Sequence, residues 1–409
     1  MSNGPIIIIG AGHAGVSVAA RLAELGRAQG TVLVGEEDSV PYERPPLSKE
    51  MLDLGSPFAG SLLRPERFYA EKGIELLTGL RVTSIDRATR QINLGRGRRL
   101  RYGTLVIATG SEPRRLNVPG AYLPGVHVLR TASDAGRIRE SLSSGGRLVV
   151  AGAGYIGLEV AAAAVKAGCA VTVLEAQDRV MARATSKPVS GFFEELHRAA
   201  GVRLDLGAAI GAFDGTDNVQ RVVTTGGEVH PADFVIVGVG ALPCQWLAQD
   251  AGVACDDGIL VDRAARTSDV DIYAVGDVSR TAGPQGVRLE SVQGAAAQAI
   301  AAADHIVTGE VTAPEVPWFW TDQHGVRLQT AGVRAPTDEL VLRGDPRDGR
   351  FSVLYLRHGR LAAIDTVGSL KDFMPGRKLI AAGARLNRGL AADPSVKLTQ
   401  ALDLVSQQN

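Results

Sequence analysis

"PIIIIGAGHAGVSVAARLAELG" (residues 5–26) runs four isoleucines into a glycine turn and then into Ala/Leu/Val spacing of helical period. "RLVVAGAGYIGLEVAAAAVKAG" (147–168) repeats the pattern, and each copy leads into a further apolar run, "TVLVGEE" (31–37) and "AVTVLEA" (170–176). Each set reads as strand, glycine turn, amphipathic helix, strand: a βαβ unit. Strands apolar at every position suit a parallel sheet covered on both faces. The chain is therefore expected to contain two Rossmann-like units about a domain's length apart.

"TLVIATGSEP" (104–113) and "DIYAVGDVS" (271–279) add strands ending in glycine turns, and "DFVIVGVGALP" (233–243) closes the second unit in the style of 104–113. The economical arrangement splits the first domain. Residues 1–111 and 238–315 share one sheet, and 112–237 is a second dinucleotide-binding domain inserted in the first. Past "APEVPWFW" (313–320) the runs "RLQTAGV" and "RFSVLYLRHGRLAAIDTV" look antiparallel, with Gly359 marking a hairpin. Residues 316–409 are expected to form a C-terminal α+β domain ending in the helical "SVKLTQALDLVSQQ" (395–408). The fold class is α/β.

At 409 residues the chain has room for two or three domains. Its 45% hydrophobic and 22% charged residues describe a soluble globular protein, and 44 basic against 44 acidic residues argue against nucleic acid as the main partner. Cys169, Cys244 and Cys255 show no CxxC or metal-ligand spacing, so neither disulfides nor a metal site are expected, and a cytoplasmic setting fits. The start reads as a buried strand rather than a secretory signal. No run reaches the ~18 apolar residues of a membrane-spanning helix.

In "GAGHAG", Gly10 permits the turn, Gly12 lets the backbone approach a pyrophosphate, and Gly15 lets helix and strand pack closely; Ala14 belongs to the same loop. The helix N-terminus then offers free N–H groups to phosphates. Gly152, Gly154 and Gly157, with Tyr155 and Ile156 between them, repeat the arrangement. The acid expected at the end of the second strand is Glu36, or Glu37 beside it, in the first unit and Glu175 in the second. A carboxylate at 175 disfavours a 2′-phosphate and so favours NADH over NADPH, with Arg179 near enough in sequence to soften the preference. Two dinucleotide sites make sense if one holds a tight prosthetic group and the other a diffusible cofactor.

The order GxGxxG, "PYERPPLSK" (41–49), "ATG" (108–110), GxGxxG, "YAVGDV" (273–278) and "PWFWTDQ" (317–323) resembles the FAD-dependent, NADH-dependent ferredoxin reductases of the putidaredoxin reductase and biphenyl dioxygenase reductase type. Apoptosis-inducing factor is more distant, and the glutathione reductase superfamily is the parent group. The resemblance implies tightly bound FAD on Gly10 to Gly15, with its adenosine ribose on Glu36 and its adenine at the Val82 backbone. It implies Arg44 and Lys49 at the flavin, Arg130 of "LRT" on FAD, Asp277 on the ribityl chain, Val292 at the pyrimidine edge and Trp320 near the isoalloxazine. The helix beginning at Val292, capped by Ser291, would set positive dipole where the flavin gains negative charge. Glu159 is implied near the nicotinamide and Lys49; a helix-face salt bridge is the competing reading.

Disulfide reductases of the parent superfamily keep a CxxxxC pair after the first βαβ unit, and residues 36–60 here contain no cysteine. The resemblance then implies single electrons passed to a [2Fe–2S] ferredoxin that serves a haem-thiolate monooxygenase or a ring-hydroxylating dioxygenase. Exposed arginines such as Arg64 and Arg67 would dock an acidic ferredoxin. The expected state is a monomer or weak homodimer without membrane association. The competing enzymes are a rubredoxin reductase or a flavin NADH oxidase. The competing class is an NADH-sensing interaction protein like apoptosis-inducing factor.

Overall fold

The computed structural model describes residues 4–58, 60–283, 286–311 and 315–403. The chain divides into two compact units, one of Met1–Pro46, Gly60–Glu112 and Ala241–Glu315, the other of Leu47–Ala59, Pro113–Gly240 and Val316–Asn409.

In the first unit the isoleucine strand Ile6–Ile9 lies at the centre of a five-stranded parallel sheet, in the spatial order Ile272–Ala274, Thr104–Ile107, Ile6–Ile9, Thr31–Val34, Ile74–Leu77. Alternation sorts the isoleucines by face. Ile6 and Ile8 join a core with the helices His13–Glu24 and Val292–Thr308. Ile7 and Ile9 join another built with Val82, Ile85, Ile92 and Leu94 of an antiparallel three-stranded sheet. Both faces are therefore dry, which is why all four positions are apolar.

The second unit repeats the parallel design in the order Arg203–Leu206, Ala170–Glu175, Arg147–Ala151, Phe234–Val237, Val126–His127. It also contains a five-stranded antiparallel sheet ordered Trp318–Gln323, Val326–Gly332, Arg360–Val367, Arg350–Arg357, Glu339–Asp345. The hairpin expected at Gly359 is present: His358 and Gly359 both have positive φ, at 51° and 76°. The helix expected over 395–408 is not, as far as the described residues reach. There the chain makes a short 3-10 turn, Leu398–Gln400, and the end of the stretch lies outside the described residues. Pairing wins over helix locally, because Leu386 bridges Leu402 and the Asn387 N–H donates to the Ala401 carbonyl at 2.8 Å.

Residues 47–58 are held in the second unit by Arg139 of the helix Ala132–Ser143. Its guanidinium donates to the carbonyls of Met51, Asp53, Leu54 and Ser56 at 2.7–3.3 Å, and Lys166 pairs with Asp53 at 2.8 Å. Among the described residues no helix is long and apolar enough to cross a membrane.

Candidate functional site

The two glycine trios separate into residues the fold needs and one it does not. A Cβ on Gly10, whose φ is +108°, would lie 2.1 Å from the Ala108 carbonyl oxygen, and one on Gly15 would lie 1.9 Å from that of Gly10. Neither position admits a side chain. Gly12 has ordinary extended dihedrals, and its Cβ would find only the Arg44 Nε, 4.0 Å away. The second trio behaves alike: Gly152 and Gly157 meet carbonyls at 2.6 and 2.2 Å, while Gly154 has nothing nearer than 3.9 Å. Both helices start on these open glycines, and neither glycine can supply a side-chain cap to the first turn. A helix start with an open glycine and a guanidinium nearby suits a pyrophosphate, and the first unit's residues fit that part of FAD.

Around the first turn, Arg44 pairs with Glu37 at 2.6 Å and Tyr42 donates to the other Glu37 oxygen at 2.5 Å. Glu37 thus anchors Arg44. Glu36 has an exposed side chain and pairs with Arg81 at 3.0 Å. Gly276 presses on Ala14 closely enough that a Cβ there would be 2.8 Å from the alanine methyl. Asp277 therefore stands just past the strand Ile272–Ala274, beside the glycine turn, where it accepts from Ser111 at 3.0 Å. Gln298 of the Val292–Thr308 helix fixes that turn by accepting from the Gly276 N–H at 2.8 Å. Ser291 caps the helix as expected, accepting from the Gly294 N–H at 3.0 Å. Val82 is buried and opens the strand Val82–Asp86.

In the second unit Glu175 ends its strand and accepts from the Ala153 N–H at 2.7 Å and the Gln177 N–H at 2.8 Å. It braces the glycine turn directly. The first unit differs, since Thr31–Val34 stops before Gly35 and Glu36 follows outside the strand. Arg179 donates to the carbonyls of Ala182 and Thr185 and to the Ser190 hydroxyl, so its guanidinium is engaged by its own loop. Tyr155 packs on Phe319 with ring centroids 4.7 Å apart, and Ile156 is exposed.

Lys49 and Glu159 meet: Nζ is 2.7 Å from Oε2, with side chains 18% and 4% exposed. Glu159 also accepts from Ser48 Oγ on Oε2 and from Thr321 Oγ1 on Oε1, both at 2.5 Å. The salt bridge of Glu159 is thus made to Lys49, 110 residues away, rather than along its own helix face, and the pair lies in the unit that holds the second glycine turn. Ser48 and Thr321 lie inside the quoted motifs, beside Lys49 and Trp320, with no chemical signature of their own in the sequence. Arg139 carried no signal at all.

Trp320 sits on the opposite face of its strand from Thr321, half-buried beside Trp318 at 5.7 Å. No contact joins it to Glu159 among those described. The Arg130 N–H donates to Asp134, which also completes a capping box with Thr131. Arg64 and Arg67 are exposed.

Two parallel-sheet units, each opening a helix on a bare glycine turn, define an oxidoreductase that uses two dinucleotides. The chain belongs to the pyridine nucleotide-disulphide oxidoreductase family, whose family model matches residues 4–299, and a reductase C-terminal model matches 318–402. It is accordingly an FAD enzyme that reacts with NAD(P)H. It is 40% identical over 399 residues to a ferredoxin–NAD(P)(+) reductase of a Sphingomonas species, covering 96% of each chain. It is 40% identical to putidaredoxin reductase of Pseudomonas putida, covering 98% of this chain and 97% of that one. The reductase in a solved covalent putidaredoxin reductase–putidaredoxin complex superimposes with a TM-score of 0.94 at 38% identity, 98% of each chain being covered.

Proposed function

We propose that the protein is an NADH-dependent ferredoxin reductase, passing electrons to a [2Fe–2S] ferredoxin that supplies a haem-thiolate monooxygenase or a ring-hydroxylating dioxygenase. The observation that carries this reading is the segment 40–49. Where disulfide reductases keep their redox cysteines, this chain has none, and it sets Ser48 and Lys49 against Glu159 instead. Without an internal thiol to reduce, electrons leave for an external acceptor. The named relatives act on such acceptors.

FAD, when bound, takes hydride from a nicotinamide and releases electrons singly, as an iron–sulfur acceptor requires. The chain's own residues bind and orient. Gly10, Gly12, Ala14 and Gly15 receive the FAD pyrophosphate with Arg44 above them. Glu36 and the Val82 backbone take the adenosine end, Arg130 and Asp277 contact the remainder, and the Val292 helix start faces the pyrimidine edge. Gly152, Gly154, Gly157, Tyr155 and Ile156 form the NADH turn. Glu175, already committed to the turn's N–H groups, opposes a 2′-phosphate, and with Arg179 engaged elsewhere the preference is for NADH. Lys49 stands at the flavin and Glu159 beside it near the nicotinamide, the pair orienting the hydride exchange, and Trp320 stands near the isoalloxazine. Arg64 and Arg67 meet an acidic ferredoxin. We place the protein in the cytoplasm, as a monomer or weak homodimer.

Stopped-flow reduction of the yellow holoprotein by NADH and by NADPH, with oxygen uptake followed in parallel, tests the cofactor half of this reading. Fast bleaching by NADH, slow bleaching by NADPH and little oxygen consumption are expected. Equal rates with both nucleotides would refute the preference, and rapid turnover with oxygen alone would make the protein an oxidase.

A further inference from the structure

Behind Glu159 runs a buried line of side chains that the family motifs do not explain. Thr321 donates to Glu159 Oε1, and Gln323 Nε2 donates to Thr321 Oγ1 at 3.1 Å. Gln323 Oε1 meets His197 Nε2 at 2.9 Å, and His197 Nδ1 meets His324 Nε2 at 3.1 Å. Thr321, Gln323 and His197 are each no more than 1% exposed.

Valence gives every proton in the line one place. An ionised carboxylate only accepts, so Thr321 must donate its single hydroxyl proton to Glu159 and accept from Gln323. That turns the Gln323 amide nitrogen toward Thr321, where its other neighbour is the weakly accepting Met181 sulfur at 4.0 Å, and turns its oxygen toward His197. His197 then carries hydrogen on Nε2, leaving Nδ1 bare to accept from His324. The line closes only with neutral His197, and burial holds that imidazole down to about 4. Every dipole points its positive end at the carboxylate.

We propose that Thr321, Gln323 and His197 are positioning residues for Glu159, a one-directional hydrogen-bond chain that locks the carboxylate oxygen not engaged by Lys49. This rests on the role proposed above for the Lys49–Glu159 pair. Cooperative bonds in a dry interior rigidify what they end on. They also make the histidine tautomer a remote reporter of the carboxylate's anchoring.

The test uses the FAD-loaded enzyme with ring-15N-labelled histidine, alongside stopped-flow reduction by NADH. Wild type should show His197 as the neutral Nε2–H tautomer near pH 7. Thr321→Val removes the acceptor that orients Gln323, so His197 should become a tautomer mixture. The limiting reduction rate should fall on the order of tenfold, as for one lost charge-assisted hydrogen bond, with the apparent Kd for NADH little changed. Thr321→Ser should restore both readouts. If Thr321→Val does not fold, Gln323→Met breaks the same chain and must slow reduction likewise. A Thr321→Val enzyme with an unaltered His197 signal and a rate within about twofold of wild type would overturn the proposal. The two readings fail separately. Glu159→Gln reducing at the wild-type rate would remove the role of the pair, whereas a slow Glu159→Gln beside a normal Thr321→Val would remove only the chain's.

Discussion

Replacing Glu159 by glutamine keeps its shape and removes the negative charge on which three donors converge. Lys49, Ser48 and Thr321 all point at this carboxylate, and the pair is largely buried. Breaking one side of a fully buried ion pair costs about 3–5 kcal/mol, because the other charge is left uncompensated. Lys49 retains 18% side-chain exposure, so water shares the load, and we expect less than a fully buried pair would lose, about 2–3 kcal/mol. For a unit of this size that corresponds to a fall in melting temperature of roughly 5–10 °C, measured by calorimetry on the FAD-loaded protein. Lys49→Met combined with Glu159→Gln removes both charges and should recover at least half of the loss, so the two substitutions will not add. A Glu159→Gln protein within about 0.5 kcal/mol of wild type, or a double variant whose losses simply add, would refute the claim that the pair is mutually compensated.

Gly12→Ala should fold normally yet lose most bound FAD, since its Cβ has room in the protein but none beneath a pyrophosphate; Gly15→Ala, with a carbonyl 1.9 Å away, should not fold at all. Flavin absorbance and circular dichroism distinguish the two, and a fully yellow Gly12→Ala protein would contradict the assigned phosphate site. Glu175→Ala should weaken NADH binding on the order of tenfold while FAD stays bound, read by titration; unchanged affinity would count against the place of Glu175 in the NADH site. Asp365 tests linkage. Burial pushes its carboxyl from the ordinary 3.8 up to about 7, with a hydrogen bond from Tyr355 opposing. A raised folded pKa means that its stabilising contribution is full below about pH 4 and is lost as pH rises toward 7. Asp365→Asn should therefore match wild type near pH 4 and be the more stable at pH 8, by at most about 4 kcal/mol, in denaturant titrations at the two pH values. Equal differences at both would refute the burial argument.

Much of the fold was legible because it rests on local sterics. Four isoleucines at consecutive positions require cover on both faces, and Gly10 and Gly15 require their carbonyl neighbours, wherever the rest of the chain goes. The surroundings of Glu159 were not legible, because Ser48 and Thr321 reach it from 111 and 162 residues away. Glu36 and Glu175 looked equivalent in sequence, yet one lies outside its strand and the other braces its own turn. The C-terminal stretch has helical spacing, but pairing of Leu386 with Leu402 favours extended chain there. Gln323 closes the quoted motif 317–323 and His197 lies in none, yet neither type is unusual singly; only their order in space makes a chain.

Electron delivery to an iron–sulfur protein is what the proposed function turns on. NADH-driven cytochrome c reduction, titrated with purified [2Fe–2S] ferredoxins, measures it most directly. The rate should be low without ferredoxin and rise to saturation with a cognate one, more weakly so when Arg64 and Arg67 are replaced. Rapid flavin reduction by NADH with no ferredoxin able to raise the rate would contradict it.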